Sequence, residues 1–459
     1  MDEPRVRNDA LKDAMHEAGL TYDQMARDVR AVAAECGDSL RTNKSAVAHW
    51  VSGKRPEPQT AAYVAVALSR RLGRTVLPHT LGLLPADADR PDAHLGLRLG
   101  PDPVDMLCRL GEADIRRRKL LTSAVYSVAA AGLPLGAEQA IEYQERARAG
   151  RRRTGRAEIE AVRDMTALYT AIDERHGGQH GRSAVVQYLT SDVAALCRAE
   201  FASDQDRSAM LSAAAEVAYL CGWKAYDASE HGLAQRYYLQ AYSLTREAGD
   251  DLHSAFILRI LAHNGMDIRR PEHTLALAEA ALSRVKGKAD PATEAMFAVT
   301  RARALAVAGR GREAVAQTKE AQDLVLRGEE AALPRWAALW GSARACVSSH
   351  SAKTLKALGD HANAERHYAA AARGRSVAQQ RINALTIAAQ AEQQAAQGHI
   401  EQACHTWGQS LDLLEGVRSA RAVDAVSGMR RQARALSRNG ARAVADLDER
   451  ARSWQLAYA

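Results

Sequence analysis

The sequence predicts an all-α chain, with a small helical unit at the N-terminus followed by a long run of stacked helix pairs. Three observations carry that prediction. Alanine is abundant, proline is scarce at 12 of 459 residues and aromatics make up only 5%. That mix favours close helix contacts through small residues and argues against a large sheet. Second, apolar residues recur at helical spacing in segment after segment. Third, a turn-like residue followed five positions later by alanine recurs as Ser229/Ala234, Pro271/Ala276, Gly309/Ala314, Gly359/Ala364, Gly398/Ala403 and Arg438/Ala443. The alanines are separated by 42, 38, 50, 39 and 40 residues, the period of stacked helix-turn-helix repeats. A chain of this length exceeds one compact core, so two or more units are expected.

The first helix runs from Asn8 to Ala18, with Leu11, Ala14, Met15 and Ala18 on one side and Gly19 after it. Thr21 is the N-cap of the next, and Gln24 three residues on completes a capping box. That helix carries Met25, Ala26, Val29, Val32 and Ala33, and ends near Gly37. Asn43 caps a third, short helix in which Val47 and Trp50 share the apolar face. Gly53 sits where a helix C-terminus wants a left-handed residue, and Pro56 and Pro58 prevent continuation. Thr60 to Leu72 is a fourth helix with Tyr63, Val64, Ala67 and Leu68 inward, and Leu77 to Leu84 a short fifth.

The third helix is the one that suits a DNA groove. Lys44, Ser45 and His49 project away from its apolar face and are placed to meet base edges, with Arg41 and Thr42 at the groove entrance. Asn43, Lys54 and Arg55 are placed to hold phosphates. From Arg41 to Arg74 the charged residues are Arg41, Lys44, Lys54, Arg55, Arg70, Arg71 and Arg74 against Glu57 alone. The net charge of +7 over the whole chain is mild by comparison. Such a local excess supplies the sequence-independent attraction on which base readout is superimposed. Against this stand two plainer readings: an ordinary amphipathic helix with a solvated end, and basic residues that offset helix dipoles. One short recognition helix reads few base pairs, so a homodimer on an inverted repeat of double-stranded DNA is expected.

Residues 85–112 read as a linker, because Pro85 to Pro103 concentrate Pro, Asp and Gly. Residues 113–157 read as connecting helices with two basic runs, Arg116 to Lys119 and Arg146 to Arg156, that either extend a DNA-facing surface or are solvated connectors. The helical repeats occupy 158–459. The stretch from Leu211 to Gly249 fits a tetratricopeptide (TPR) repeat best, with Trp223, Tyr226, Gly232, Ala234 and Tyr238 alternating large and small core positions. The later repeats are longer than the TPR norm, so HEAT-like pairs stay open for the C-terminal third.

Two resemblances follow from these motifs. Thr21-Tyr22-Asp23-Gln24-Met25-Ala26, followed by Trp50 to Gly53, Lys54 and Glu57-Pro58, resembles the helix-turn-helix of Xre/Cro-type repressors over about residues 8 to 84. The family's short turn between helices two and three is replaced here by Arg30 to Thr42, a lengthened second helix plus a loop. The whole layout is similar to the actinobacterial TPR-containing transcriptional regulators. Val162 to Thr166, Asp173 to His180, Gly222 to Asp227 and His231 to Tyr238 carry that likeness. The resemblance implies a cytoplasmic, DNA-binding regulator whose solenoid dimerises or senses a peptide or small-molecule effector. More distantly, the layout is similar to peptide-sensing regulators that couple such a domain to a TPR solenoid.

Other chemistry finds little support. Asp173, His176 and His180 have a spacing that suits metal ligands, but Gly177, Gly178 and Gly181 favour a turn over a continuous helix. His361, Glu365 and His367 do not share one helix face and read as surface. There is no phosphate-binding glycine loop and no hydrolase or zincin motif, so neither an enzyme nor a cofactor is expected. The six cysteines are isolated and read as reduced thiols of a cytoplasmic protein, and no run is long enough to span a membrane. Trp336 and Trp340, one turn apart beside Arg335 and Arg344, are the candidates for a concave ligand groove, with solenoid core as the plainer reading. The competing functions are a ligand-responsive regulator, a TPR interaction adaptor without specific DNA binding, and an enzyme with a site near His176 and His180.

Overall fold

In the computed structural model, the described residues are 7–35, 38–72, 76, 78–84, 95–97, 99–116, 153–268, 273–339, 341–436 and 442–458. They form an all-α solenoid preceded by a four-helix unit. The unit comprises α1 (Asp9–Glu17), α2 (Tyr22–Glu35), α3 (Lys44–Val51) and α4 (Pro58–Leu72). The expected caps form. Asn8 Oδ1 accepts from the Leu11 amide at 3.0 Å. Thr21 and Gln24 close a reciprocal capping box, with the Thr21 amide donating to Gln24 Oε1 at 2.9 Å and the Gln24 amide donating to Thr21 Oγ1 at 3.3 Å. Leu11, Met15, Met25, Val29, Val47, Trp50, Tyr63, Val64 and Leu68 build one shared core. The expected fifth helix is not formed: residues 78–84 are turns, pinned by Asn8 Nδ2 donating to the Leu81 carbonyl at 2.8 Å.

The long connection after α2 is held in place. Asp38 accepts from Gln59 Nε2 at 2.6 Å and from the Tyr63 hydroxyl, both on α4. Arg30 reaches forward to the Thr42 carbonyl. Residues 38–42 are therefore anchored to α2 and α4.

Part of the expected 85–112 linker is helical in the structure. Pro103 is tolerated in the first turn of a helix, since its missing amide hydrogen has no acceptor there. It opens α5 (Pro103–Arg116), whose Val104, Leu107 and Leu110 enter the main core. Leu95 and Gly96 are docked as well, their carbonyls accepting from Arg236 and, at 3.0 Å, from Gln240 Nε2. Apolar spacing beyond the Pro/Asp-rich stretch outweighed its loop-like composition. Residues 85–94 and 117–152, with the greater part of both basic runs, lie outside the described residues.

α6 (Arg156–His176), α7 (Arg182–Tyr188), a π turn (Leu189–Val193) and α8 (Ala194–Cys197) lead into the repeats. A two-residue parallel pairing of β1 (Arg153–Thr154) with β2 (Glu200–Phe201) is the strand content of the described residues. Six antiparallel pairs follow. They are α9 (Asp204–Asp227) with α10 (His231–Glu247), α11 (Asp251–Asp267) with α12 (Thr274–Val285), and α13 (Pro291–Val307) with α14 (Gly311–Arg327). After a short α15 (Arg335–Ala338) come α16 (Ala343–Ala357) with α17 (His361–Arg373), α18 (Gln380–Ala396) with α19 (Ile400–Leu413), and α20 (Ala420–Leu436) with α21 (Arg442–Tyr458).

The turn-plus-alanine mark has a physical basis at four of its six positions. Ser229, Gly309, Gly359 and Gly398 hold φ of 62°, 77°, 81° and 86°. The alanines five residues later (Ala234, Ala314, Ala364 and Ala403) are all fully buried against the preceding helix. Ala276 is exposed and Ala443 only half-buried. The turn residues of those two marks, Pro271 and Arg438, lie outside the described residues. The same close approach operates between α9 and α10, where a Cβ on Gly222 would stand 2.5 Å from Tyr238 Cε1.

The superhelix closes on itself. The Arg418 amide donates to the His176 carbonyl at 2.9 Å, and Ser419 Oγ donates to Asp227 Oδ1 at 2.9 Å. The C-terminal pairs thus meet α6 and the end of α9, and the concave side becomes an interior.

Candidate functional site

The short α3 is built as a presenting element. Asn43, extended at φ −133°, caps it by accepting from the Ala46 amide at 3.0 Å. At the other end the Lys54 amide donates to the His49 carbonyl at 2.9 Å and the Gly53 amide to the Trp50 carbonyl at 3.1 Å, with Gly53 at φ 98°. This is a Schellman motif, which requires a left-handed residue at that point. Val47, Trp50 and Val51 are buried against α2 and α4.

On the opposite side Arg41, Asn43, Lys44, Ser45, His49, Lys54 and Arg55 are all exposed. No acidic residue interrupts 41–55. Among the described residues Arg41, Lys44, Lys54 and Arg55 form no ion pair, so their charge is available to a polyanion. Thr42 stands apart from this group. It is buried at 8% exposure with its carbonyl taken by Arg30, so it supports the loop and does not present a side chain. Arg71 also leaves the basic face, because Asp28 of α2 holds its Nε at 2.8 Å.

The solenoid offers a second site, which the sequence pointed to in kind but not in place. Trp336 is buried at 6% exposure, stacked on His253 with rings 5.6 Å apart and packed on Phe256 at 5.0 Å. It is core. Arg335 turns to Glu216 at 3.6 Å and to the Arg163 carbonyl, Arg344 is exposed, and Trp340 lies outside the described residues. Trp336 is thus not a groove residue, and a cavity of about 150 Å³ lies elsewhere in the interior, between α9, α11, α16 and the α17–α18 connection. Tyr219, Trp223, Tyr226, Tyr238 and Phe256 form its aromatic wall. The signal that favours this place is the density of aromatic residues on α9 and α10.

The rest of the lining is polar. Asp267 accepts from the Tyr226 hydroxyl at 2.5 Å and from Arg303. Burial opposes its ionisation, but Arg303 and Lys353 beside it hold the carboxyl below the usual range. His263 and His350 face each other with ring centroids 4.3 Å apart. Burial first, and neighbouring cations after it, push both well below the usual histidine range, so both are neutral at pH 7. Burial, with Arg303 close by, pushes Lys353 down to about 7.

Behind the cavity lies a buried ion network. Arg381, with no exposed surface, contacts Asp173 at 2.6 Å, Glu174 at 2.8 Å and Asp227 at 3.1 Å. Lys224 Nζ reaches Asp173 Oδ1 at 3.0 Å, and Trp223 Nε1 donates to Asp173 Oδ2 at 3.1 Å. Asp173 is thus committed inside the protein, while His176 and His180 are exposed with their rings 5.3 Å apart. The three do not converge, and no group of metal-ligating side chains occurs among the described residues. His361, Glu365 and His367 also depart from the surface reading. They are half-buried and bind Gln393, Gln394 and Gln322 of neighbouring helices, since adjacent pairs pack on both sides of α17.

Comparison with known proteins bears on the N-terminal unit. Residues 11–84 match the family model of the SP15 N-terminal domain, a span that coincides with α1 to α4 and the turns after them. Among solved structures the chain is similar to that of a Rap protein complexed with competence and sporulation factor. The identity is 12% and the TM-score 0.37, over 66% of this chain and 97% of that one. No curated protein matches the chain.

Proposed function

We propose that this chain is a sequence-specific DNA-binding transcription regulator that acts as a homodimer and responds to an effector held in the solenoid. The observation that supports it best is the two-sided α3. Its apolar side is consumed by the core, and its polar side presents Lys44, Ser45 and His49 with Lys54 and Arg55 beside them, with no acidic residue between 41 and 55. An exposed cationic helix face of one turn's length has the size of a major-groove reader, and phosphate contacts at its ends fix its register. Dimerisation follows from the energetics, because two half-sites supply affinity and discrimination that one short helix lacks.

Genome-wide DNA binding of the wild type beside a Lys44→Ala/His49→Ala variant tests this reading. Discrete sites sharing an inverted repeat, lost in the variant, support it. Absence of enrichment for both proteins overturns it. The second reading, an interaction adaptor without specific DNA binding, draws support from the solenoid architecture itself, which offers large helical surfaces. It is favoured if the purified protein binds operator fragments and random duplex equally weakly.

A further inference from the structure

We propose that the interior cavity is a binding site for a small anion carried on a single aromatic ring, an aryl carboxylate or aryl phosphate. This rests on the reading of the solenoid as the effector domain of a DNA-binding protein, and it names the chemistry of the effector.

Charge is the first argument. The lining carries five basic side chains, Arg259, Arg303, Lys353, Arg375 and Arg421, against two carboxylates, Glu174 and Asp267. Both carboxylates are already engaged, Asp267 by Arg303 and Tyr226 and Glu174 by Arg381 at 2.8 Å. Arg259 spends its hydrogen bonds on the Met296 carbonyl at 2.9 Å and Cys346 Sγ at 3.0 Å. Arg375 spends its own on the Ile382 carbonyl at 2.9 Å and Thr386. Among the described residues no carboxylate lies within ion-pairing distance of Arg259, Arg375 or Lys353, and the Lys353 ammonium makes no hydrogen bond. Arg303 is paired with Asp267 and Arg421 lies 3.9 Å from Asp227, but Arg259, Arg375 and Lys353 share the cavity without a carboxylate of their own, and an anion in their midst relieves their mutual repulsion.

The second argument is independent of charge. Asn264 is 2% exposed, lines the cavity, and neither its amide nitrogen nor its amide oxygen has a partner. Buried amides are almost always bonded, and one left with both ends free inside a cavity is suited to a guest that accepts and donates. An acid group beside a hydroxyl or ring nitrogen has that pattern.

Size and shape select the ring. A cavity of about 150 Å³ is the size that accepts benzene in an engineered protein core. It is too small for an extended peptide of several residues. Aromatic side chains form one wall, with Trp223 and Tyr226 centroids 5.3 Å apart, so a flat apolar body is matched on one side and the cations on the other. The occupant would touch α9, α11 and α16 together, and Arg421 of α20 caps the aromatic wall at 4.9 Å from the Tyr226 centroid. Occupancy therefore spans the seam where the superhelix closes.

The test uses the full-length chain without DNA. Melting temperature and tryptophan fluorescence are followed while benzoate, phenyl phosphate, and the neutral benzyl alcohol are titrated. The expected result is a rise in Tm and a change in Trp223 emission with at least one of the two anions at millimolar concentration or below, and at least tenfold weaker binding of benzyl alcohol. Benzoate against phenyl phosphate separates the carboxylate from the phosphate form. Lys353→Met and Asn264→Leu are the variants. Asn264→Leu removes a buried amide without partners and Lys353→Met a half-buried ammonium without a counter-charge, so each is expected to melt at or above the wild-type temperature while its anion affinity falls at least tenfold.

Equal responses to benzyl alcohol and the anions, no response to any of the three, or unchanged affinity in the Lys353→Met variant overturns the proposal. DNA binding is read separately, with the Lys44→Ala/His49→Ala variant. An aryl anion that binds without altering operator affinity leaves the site standing and removes only its regulatory role.

Discussion

Arg381 on α18 and Asp173 on α6, 208 positions apart in the chain, form a fully buried ion pair at 2.6 Å. Asp227 and Glu174 complete the arginine's environment, so a single guanidinium joins the start and the end of the superhelix. Removing one member of such a group leaves the others charged without compensation, which costs about 3–5 kcal/mol. Arg381→Met is therefore expected to lower stability by that order in chemical denaturation, and small-angle scattering should show an expanded particle. A variant with unchanged midpoint and radius contradicts the role of this pair as the closure.

The same seam depends on backbone approach. Gly177 sits at φ 91°, and a Cβ there would lie 2.0 Å from the Arg418 carbonyl oxygen. Gly177→Ala combines an unfavourable backbone conformation with a clash against rigid main chain, and a loss of about 2–4 kcal/mol is expected. Gly181→Ala is the control. It has φ 65° but nothing near the added carbon, so only the conformational cost of about 1 kcal/mol applies. Equal melting temperatures for the two would count against the steric part.

Glu216 gives a pH signature. It is 5% exposed, and burial pushes its carboxyl from 4.5 up to about 7 despite Arg335 and Arg163 nearby. The unfolded chain ionises this group first. Its favourable contribution is thus complete below pH 4.5, declines as pH rises, and is gone above pH 7. Glu216→Gln, which has no charge to desolvate, is expected to be near neutral at pH 4.5 and stabilising by about 2–3 kcal/mol at pH 8. Thermal melts of both proteins at the two pH values check the sign. Stabilisation confined to the acidic side would refute it.

For the N-terminal unit, Lys54 is exposed at the C-terminal end of α3, where a phosphate would meet it. Lys54→Ala is expected to weaken operator and random duplex alike and to reduce the slope of log K against log salt by about 1. Titrations at several salt concentrations measure that slope. Selective loss of operator binding with unchanged slope would make Lys54 a base reader instead.

Much of this protein is written in local sequence. Asn8, the Thr21/Gln24 box, Asn43 and Gly53 define α1 to α3 because capping and left-handed turns are decided within a few residues. The all-α class and four of the six repeat marks were readable for the same reason: a turn that needs positive φ at Ser229, Gly309, Gly359 or Gly398 and a small residue at the contact point are short-range requirements. What the tertiary structure alone decided is long-range. The helix from Pro103 looked like linker because its neighbours are Pro, Asp and Gly, and only docking on α10 shows why it is ordered. Trp336 and Trp340 marked a groove by proximity in sequence, but Trp336 was taken into the core by His253 and Phe256. The cavity gathers residues from Glu174 to Arg421, and the charges that define it lie on helices whose adjacency depends on the closure of the superhelix. Periodicity tells which face of a helix is buried. Which other helix buries it is set by the accumulated rotation of the stack, and no single repeat encodes that.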